Sequence, residues 1–188
     1  PIGRARRRPH VSLPVTVTRL TPDDWESHRD LRLEALATDP QAFGATYADN
    51  AAYDEATWRA RLAAVTYWQA RQDGMPLGMV GLWDPSVGLG EQNGDDVDPE
   101  PAASFLIAMY VRPLARGGGV GDALVVAVLA DAAARGHRHV VLDVREANAA
   151  ARALYARHGF VVTPDREQRQ VAGDCEITMV LDLAGWPV

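Results

Sequence analysis

The sequence predicts a single mixed α/β domain, and three observations carry that expectation. The chain has 188 residues, 47% of them hydrophobic, which is enough for one sizeable core and too short for two comfortable domains. Residues 103–144 read as strand, glycine-rich turn, helix and strand, a crossover unit whose two strands run parallel. Residues 66–84 read as a β-hairpin, so another part of the sheet is antiparallel.

The elements follow in order. Residues 1–14 hold four arginines among prolines and no acid, a disordered basic N-terminal arm, and the folded domain is expected over 15–188. "VTVTR", Val15 to Arg19, alternates as a short strand does. Thr21 as N-cap and Pro22 at the first helical position open a helix whose apolar Trp25, Leu31, Leu33 and Leu36 keep only rough helical spacing, and Pro40 stops it. A second helix is expected over Glu55 to Ala64. The hairpin turns at Asp73-Gly74, and residues 84–102, rich in Gly, Pro and acids, read as a loop. "ASFLIAMYV", Ala103 to Val111, is a nearly continuous apolar strand of the kind buried on both faces. The next helix puts Val120, Leu124 and Val128 on one face with Val125, Leu129 and Ala132 beside it, and ends at Gly136. His139 to Val144 is the following strand. A last helix runs from an Asn148 cap to Gly159, and strands near Phe160–Thr163 and Glu176–Leu183 complete the sheet.

Composition removes several chemistries. All 19 basic residues are arginine, which excludes a P-loop lysine, a Schiff-base lysine and lysine-activated serine. A single cysteine, Cys175, rules out an internal disulfide and fits a small buried hydrophobe. No apolar run reaches the length of a membrane span, so no membrane partner and a cytoplasmic location are expected. The arginine arm lacks interleaved aromatics, and no nucleic-acid partner is expected. His137 and His139 have no third ligand spaced to join them in a metal site. Glu91, Asp95, Asp96, Asp98 and Glu100 read as a solvated acidic loop.

The segment "RGGGVGDAL", Arg116 to Leu124, carries the functional signal. It places bare backbone at the mouth of a helix, where about four unpaired N–H groups and a partial positive charge favour a phosphate. Arg116 adds a bidentate donor. A P-loop needs Lys and Ser or Thr after the last glycine, where Asp122 and Ala123 stand. A dinucleotide fingerprint needs a third glycine where Leu124 stands, and too little chain follows Gly121 to finish a doubly wound sheet, although Asp143 could imitate its ribose-binding acid. A turn without ligand and a dinucleotide-binding module remain the alternatives.

Val111, Pro113, Arg116, Gly119 and Gly121 spell V-x-P followed by R-x-x-G-x-G. This resembles the acyl-CoA-binding signature of the GNAT acetyltransferase superfamily. "LDVREANAAARALYARHGF", with Asn148, Tyr155, Gly159 and Phe160, resembles that family's next segment, and "LRLEALATDPQAF" and "GMPLGMVGL" resemble its first helix and third strand. The resemblance spans residues 15–183. It implies a GNAT-like fold, a mixed and mostly antiparallel sheet with a splayed central parallel strand pair, flanked by helices.

It implies acetyl-CoA as acyl-donor cosubstrate and an N-acetyltransferase acting on a primary amine. The backbone of Met109, Tyr110 and Val111 would pair with the pantetheine arm as an added strand does. Amides from Arg116, Gly117, Gly118, Gly119, Val120, Gly121 and Asp122 would take the pyrophosphate. Asn148 would bond the pantetheine, and Tyr155 would lie near the sulfur as catalytic acid to the leaving thiolate. The apolar strand lacks the glutamate that many members carry as base, which leaves a water chain or an acid from elsewhere, with Glu34, Asp54 and Asp143 available. That absence also leaves room for a non-catalytic acyl-CoA sensor. The expected partners are an amine acceptor, small molecule or protein, and a second copy of the chain as a homodimer.

Overall fold

The structure, a computed structural model, describes residues 14–87, 103–163, 169–171 and 174–186. The basic arm, apart from Pro14, and Glu91, Asp95, Asp96, Asp98 and Glu100 of the 84–102 loop lie outside the described residues. One sheet organises the chain in the order β1-β2-β3-β4-β5-β8-β6, with β7 also paired to β8.

β1 (Thr16–Arg19), β2 (Thr66–Gln72), β3 (Met75–Trp83) and β4 (Ala103–Val111) form an antiparallel half-sheet. The β2–β3 turn is the expected one: Asp73 (φ 50°) and Gly74 (φ 79°) both take the left-handed conformation of a two-residue hairpin turn. β5 (His139–Arg145), β6 (Val161–Val162), β7 (Arg169–Val171) and β8 (Asp174–Asp182) form the other antiparallel half. β4 and β5 run parallel, as the crossover predicts.

α4 (Val120–Ala134) joins the halves and lies across one face of the sheet. Its six predicted core residues are all buried, together with Leu82, Leu106 and Leu142 of the strands beneath. Each valine or leucine so buried is worth about 1.5–3 kcal/mol. α5 (Ala149–Arg157) adds Tyr155 to the same layer. The opposite face carries α1 (Trp25–Thr38), α2 (Tyr47–Ala51) and α3 (Glu55–Ala64).

Three details depart from the sequence reading. Pro22–Asp24 is a 3-10 turn, closed by Asp24 accepting from the Thr21 N–H and hydroxyl, each at 2.8 Å, and the α-helix begins only at Trp25. α2 and β7 are additional elements, too short for periodicity to reveal. β4 is less uniformly buried than expected, because Ile107 to Met109 are only half-covered where the strand bulges. Ala108 takes φ 55°, and the register steps from Gly81↔Ile107 to Met79↔Tyr110. A left-handed alanine costs about 1–2 kcal/mol, and here Leu20, Leu62 and Tyr67 pack against it.

Candidate active site

The site begins where β4 and β5 part. Their pairing comprises Ala103↔His139, Ser104↔Val140 and Phe105↔Val141. Beyond Phe105, β4 continues to Val111 and β5 to Arg145 with no ladder between them, so the expected splay is present. β4 remains paired to β3 on its other edge, and the Arg112 N–H extends that ladder to Leu77 O at 2.8 Å. Alternation along an antiparallel strand then turns the Tyr110 backbone to β3 and the polar groups of Met109 and Val111 to the gap. Of the three residues expected to pair with pantetheine, Met109 and Val111 are therefore oriented for it, and Tyr110 contributes its side chain to the α1 face instead.

The glycine run closes the wide end of the gap. A 3-10 turn, Pro113–Ala115, leads into Gly117 (φ 76°) and Gly119 (φ 81°), and Gly119 is the N-cap of α4. A Cβ on either glycine would meet nothing within 4 Å, so their backbone lies bare. The first intrahelical bond is Ala123 N–H to Gly119 O at 3.0 Å, which leaves the N–H groups of Val120, Gly121 and Asp122 aimed out of the helix. The amides of Arg116 and Gly118, also expected at the phosphate, donate within the turn, to Pro113 O at 3.3 Å and Ala115 O at 3.4 Å. Gly121 has another duty: a Cβ there would stand 3.1 Å from Leu154 Cδ2, so it lets α5 approach α4.

Two side chains of this loop are engaged. Arg116, expected as a phosphate donor, gives Nε–H to Val111 O at 2.9 Å and pairs with Asp39 beyond α1. Asp122 accepts from Arg157 at 3.0 Å and lies 3.0 Å from His158 Nε2, which ties the start of α4 to the end of α5. Burial pushes the Asp122 carboxyl up, but these bonds to Arg157 and His158 outweigh it and hold it below its ordinary value.

α5 supplies the remaining pair. Asn148 Oδ1 caps the helix by accepting from Ala151 N–H at 3.1 Å, which leaves its amide hydrogens for a ligand. Tyr155 is 5% exposed, its ring edge-on to Phe160 at 5.7 Å. Its hydroxyl has no hydrogen bond among the described residues, and burial alone raises its pKa well above the ordinary tyrosine value.

The three candidate acids separate cleanly. Asp54 caps α3 by accepting from Thr57 N–H at 2.8 Å, and Asp143 accepts from the Thr178 hydroxyl at 2.6 Å. Glu34 on α1 meets β4: it accepts from Tyr110 Oη at 3.2 Å and from Arg112 Nε at 2.8 Å. Arg112, which also donates to Pro76 O at 2.7 Å, is a residue the sequence reading missed, with no signal beyond its place in "VRP". Burial pushes the Tyr110 phenol up, and the Glu34 charge adds to that. His137 pairs with Asp84, Nε2 to Oδ2 at 3.3 Å, away from these residues in the sheet. No helix among the described residues is long and apolar enough to cross a membrane.

Comparison with known proteins agrees with this arrangement. The profile of the acetyltransferase (GNAT) family matches residues 25–160. A stretch of 50 residues, 27% of this chain, is 50% identical to mycothiol acetyltransferase of Amycolatopsis mediterranei, and spans only 17% of that protein. Among solved structures, yncA of Salmonella typhimurium with its cofactor acetyl-CoA superposes with a TM-score of 0.71 at 19% identity, covering 90% of this chain and 94% of that one. A GNAT-family acetyltransferase of Streptococcus pneumoniae gives 0.70 at 20% identity, covering 90% and 99%. Ribosomal-protein-alanine N-acetyltransferase of Brucella melitensis gives 0.68 at 19% identity, covering 89% and 99%. The splayed strand pair, the glycine-capped helix and the family match converge: the chain belongs to the GNAT acetyltransferase family.

Proposed function

We propose that this N-acetyltransferase holds acetyl-CoA in the gap between β4 and β5 and transfers its acetyl group directly to a bound amine in a ternary complex. The observation that carries the reading is the open edge of β4 beyond Phe105, with the polar groups of Met109 and Val111 facing it and the N–H groups of Val120, Gly121 and Asp122 at its mouth. The pantetheine arm completes the interrupted ladder, and the pyrophosphate takes the helix terminus.

Attack makes an oxyanion, which the Met109 N–H is oriented to stabilise. Collapse releases a thiolate of ordinary pKa about 8.5. The Tyr155 phenol, raised above its usual value, is protonated at every working pH, the state in which it donates a hydrogen bond. The same shift makes complete proton transfer to sulfur uphill. Its contribution is therefore a hydrogen bond that strengthens as charge gathers on the leaving atom. The amine's proton leaves toward Glu34, the candidate acid bonded to Tyr110 of β4 and to Arg112 just beyond it. Arg112 holds the Glu34 carboxylate through Nε and Nη2, and much of the rate comes from holding amine and thioester together. The names of the relatives include mycothiol and ribosomal-protein-alanine acetyltransferases, acceptors too different for either to carry over.

Thermal unfolding with acetyl-CoA, CoA and NAD tests the reading. At 100 times its Kd, acetyl-CoA adds about 2.7 kcal/mol, a rise of roughly 5–11 °C for a chain of this size. Gly119→Glu, which fills the bare backbone, abolishes the rise, and NAD gives none. Equal response to NAD, or none to either CoA form, overturns it.

A further inference from the structure

The α1–α3 layer buries donor groups that acetyl transfer does not use. Arg32 is 8% exposed, and its Nη1 is buried without a hydrogen bond. Its polar partner is Asn50, whose Oδ1 accepts from Nε at a long 3.4 Å, and its guanidinium lies 4.7 Å over the Phe43 ring. Among the described residues no carboxylate forms an ion pair with it. Trp58 and His28 are each 1% exposed, and Trp58 Nε1 and His28 Nδ1 are likewise buried without partners. The His28 ring packs 4.4 Å from Tyr67 and 5.8 Å from Trp58. Arg61, stacked on Tyr53 at 5.3 Å, brings a second positive charge. Burial first, and then the charges of Arg32 and Arg61, push His28 down to about 3, so the imidazole is neutral.

A buried guanidinium without an anion is costly, and folded chains ordinarily pair such a charge. Around the Arg32 guanidinium the described residues supply the Asn50 amide oxygen and the Phe43 ring face, and no carboxylate. What is missing is an anion, and it must come from outside the described fold. The place is informative: Phe43, under Arg32, packs with Tyr110 of β4, and Tyr67, against His28, packs with the left-handed Ala108. The cluster therefore backs onto the bulge of β4, on the face opposite α4.

We propose that Arg32, Trp58 and His28 form a subsite for a carboxylate carried by the amine acceptor, so that the acceptor is of amino-acid type. A planar guanidinium takes a carboxylate through two N–H bonds, and the unpartnered indole N–H of Trp58 is a further donor in the same helical layer. The anion site stands on the buried donors alone; its assignment to the acceptor rests on the acetyl-transfer reading above.

Two measurements on the full chain separate these claims. The first follows unfolding temperature in millimolar sodium acetate against equal sodium chloride, with acetyl-CoA as a separate arm. Acetate raises the midpoint of wild type by at least 2 °C, less in Arg32→Lys and Trp58→Phe, and not at all in Arg32→Gln. The second follows release of free CoA with matched amines: leucine against isopentylamine, and phenylalanine against phenethylamine. The carboxylate-bearing member is preferred at least tenfold in kcat/KM, and the preference collapses in Arg32→Gln. If acetyl-CoA stabilises the protein but acetate acts equally on wild type and Arg32→Gln, the subsite is wrong and the transfer reading survives. An acetate response confined to wild type, with no carboxylate preference in transfer, leaves an anion site unconnected to the acceptor and overturns the proposal. An acetate response without any acetyl-CoA response overturns the transfer reading instead.

Discussion

Tyr155 has one hydroxyl and no polar neighbour to tune it, so burial alone sets its chemistry. Tyr155→Phe keeps the ring against Phe160 and removes only the donor. The expected outcome is a kcat lower by about 100-fold or more, with the acetyl-CoA response in thermal unfolding retained; a loss under threefold removes Tyr155 from the reaction. His28 yields a second expectation. The unfolded chain binds a proton on this histidine near the ordinary 6.5, while the folded one resists until about 3. Between these values the unfolded state holds more protons, so stability falls as pH falls, by about 1.4 kcal/mol per unit. Urea midpoints at pH 7.5 and 5.0 should show wild type losing about 2 kcal/mol more than His28→Leu. Legibility at this scale was uneven. Asn148 and Tyr155 stood at readable spacings, but Arg32 and His28 did not stand out. The buried stripe of α1 runs His28, Leu31, Arg32, Ala35, Leu36, a regular helical face of which only the apolar members register in a search for hydrophobic spacing.

The glycines at the start of α4 look alike in sequence and differ in the element. Gly119 needs its left-handed φ of 81°, and a Cβ there meets open space. Gly119→Ala should cost about 1–2 kcal/mol of stability, read by urea unfolding without ligand. Gly121 has no such φ; its added methyl presses on the flexible end of Leu154 at 3.1 Å, while alanine's better helix propensity gives back up to about 1 kcal/mol. Gly121→Ala should therefore stay within about 1 kcal/mol of wild type in the same assay, and a larger loss there than at Gly119 contradicts these assignments. Elements long enough to show a period were legible: α3, α4, the hairpin and β4 all lie where the residues put them. α2 has five residues and β7 three, and pattern arguments need more than one repeat. The Ala108 bulge was also hidden, because it depends on the register with β3 rather than on any local signal.

At the scale of the whole molecule, the parallel pair was legible from strand–helix–strand order, but its splay came only through family resemblance, since nothing in either strand's own residues says where pairing stops. The splay has a spectroscopic consequence. Hydrogen exchange should find the Tyr110 amide protected in the free protein through its pairing with β3, and those of Met109 and Val111 exchanging until acetyl-CoA is added. Protection of all three without ligand would falsify the open edge.

The short seam between the two half-sheets also makes the molecule a lever. Three rungs, Ala103↔His139 to Phe105↔Val141, are the fulcrum, and β4 projects from it to Val111 as an arm of about 20 Å. A rotation of about 5° at the fulcrum therefore moves the tip of that arm by roughly 1.7 Å. Arg116, reaching from just beyond the tip to Asp39, and Arg145, at the end of β5 with Nε 3.0 Å from Gln41 O, anchor both arm tips to one short segment after α1. Substitutions in that segment are therefore expected to change the width of the gap without touching its lining.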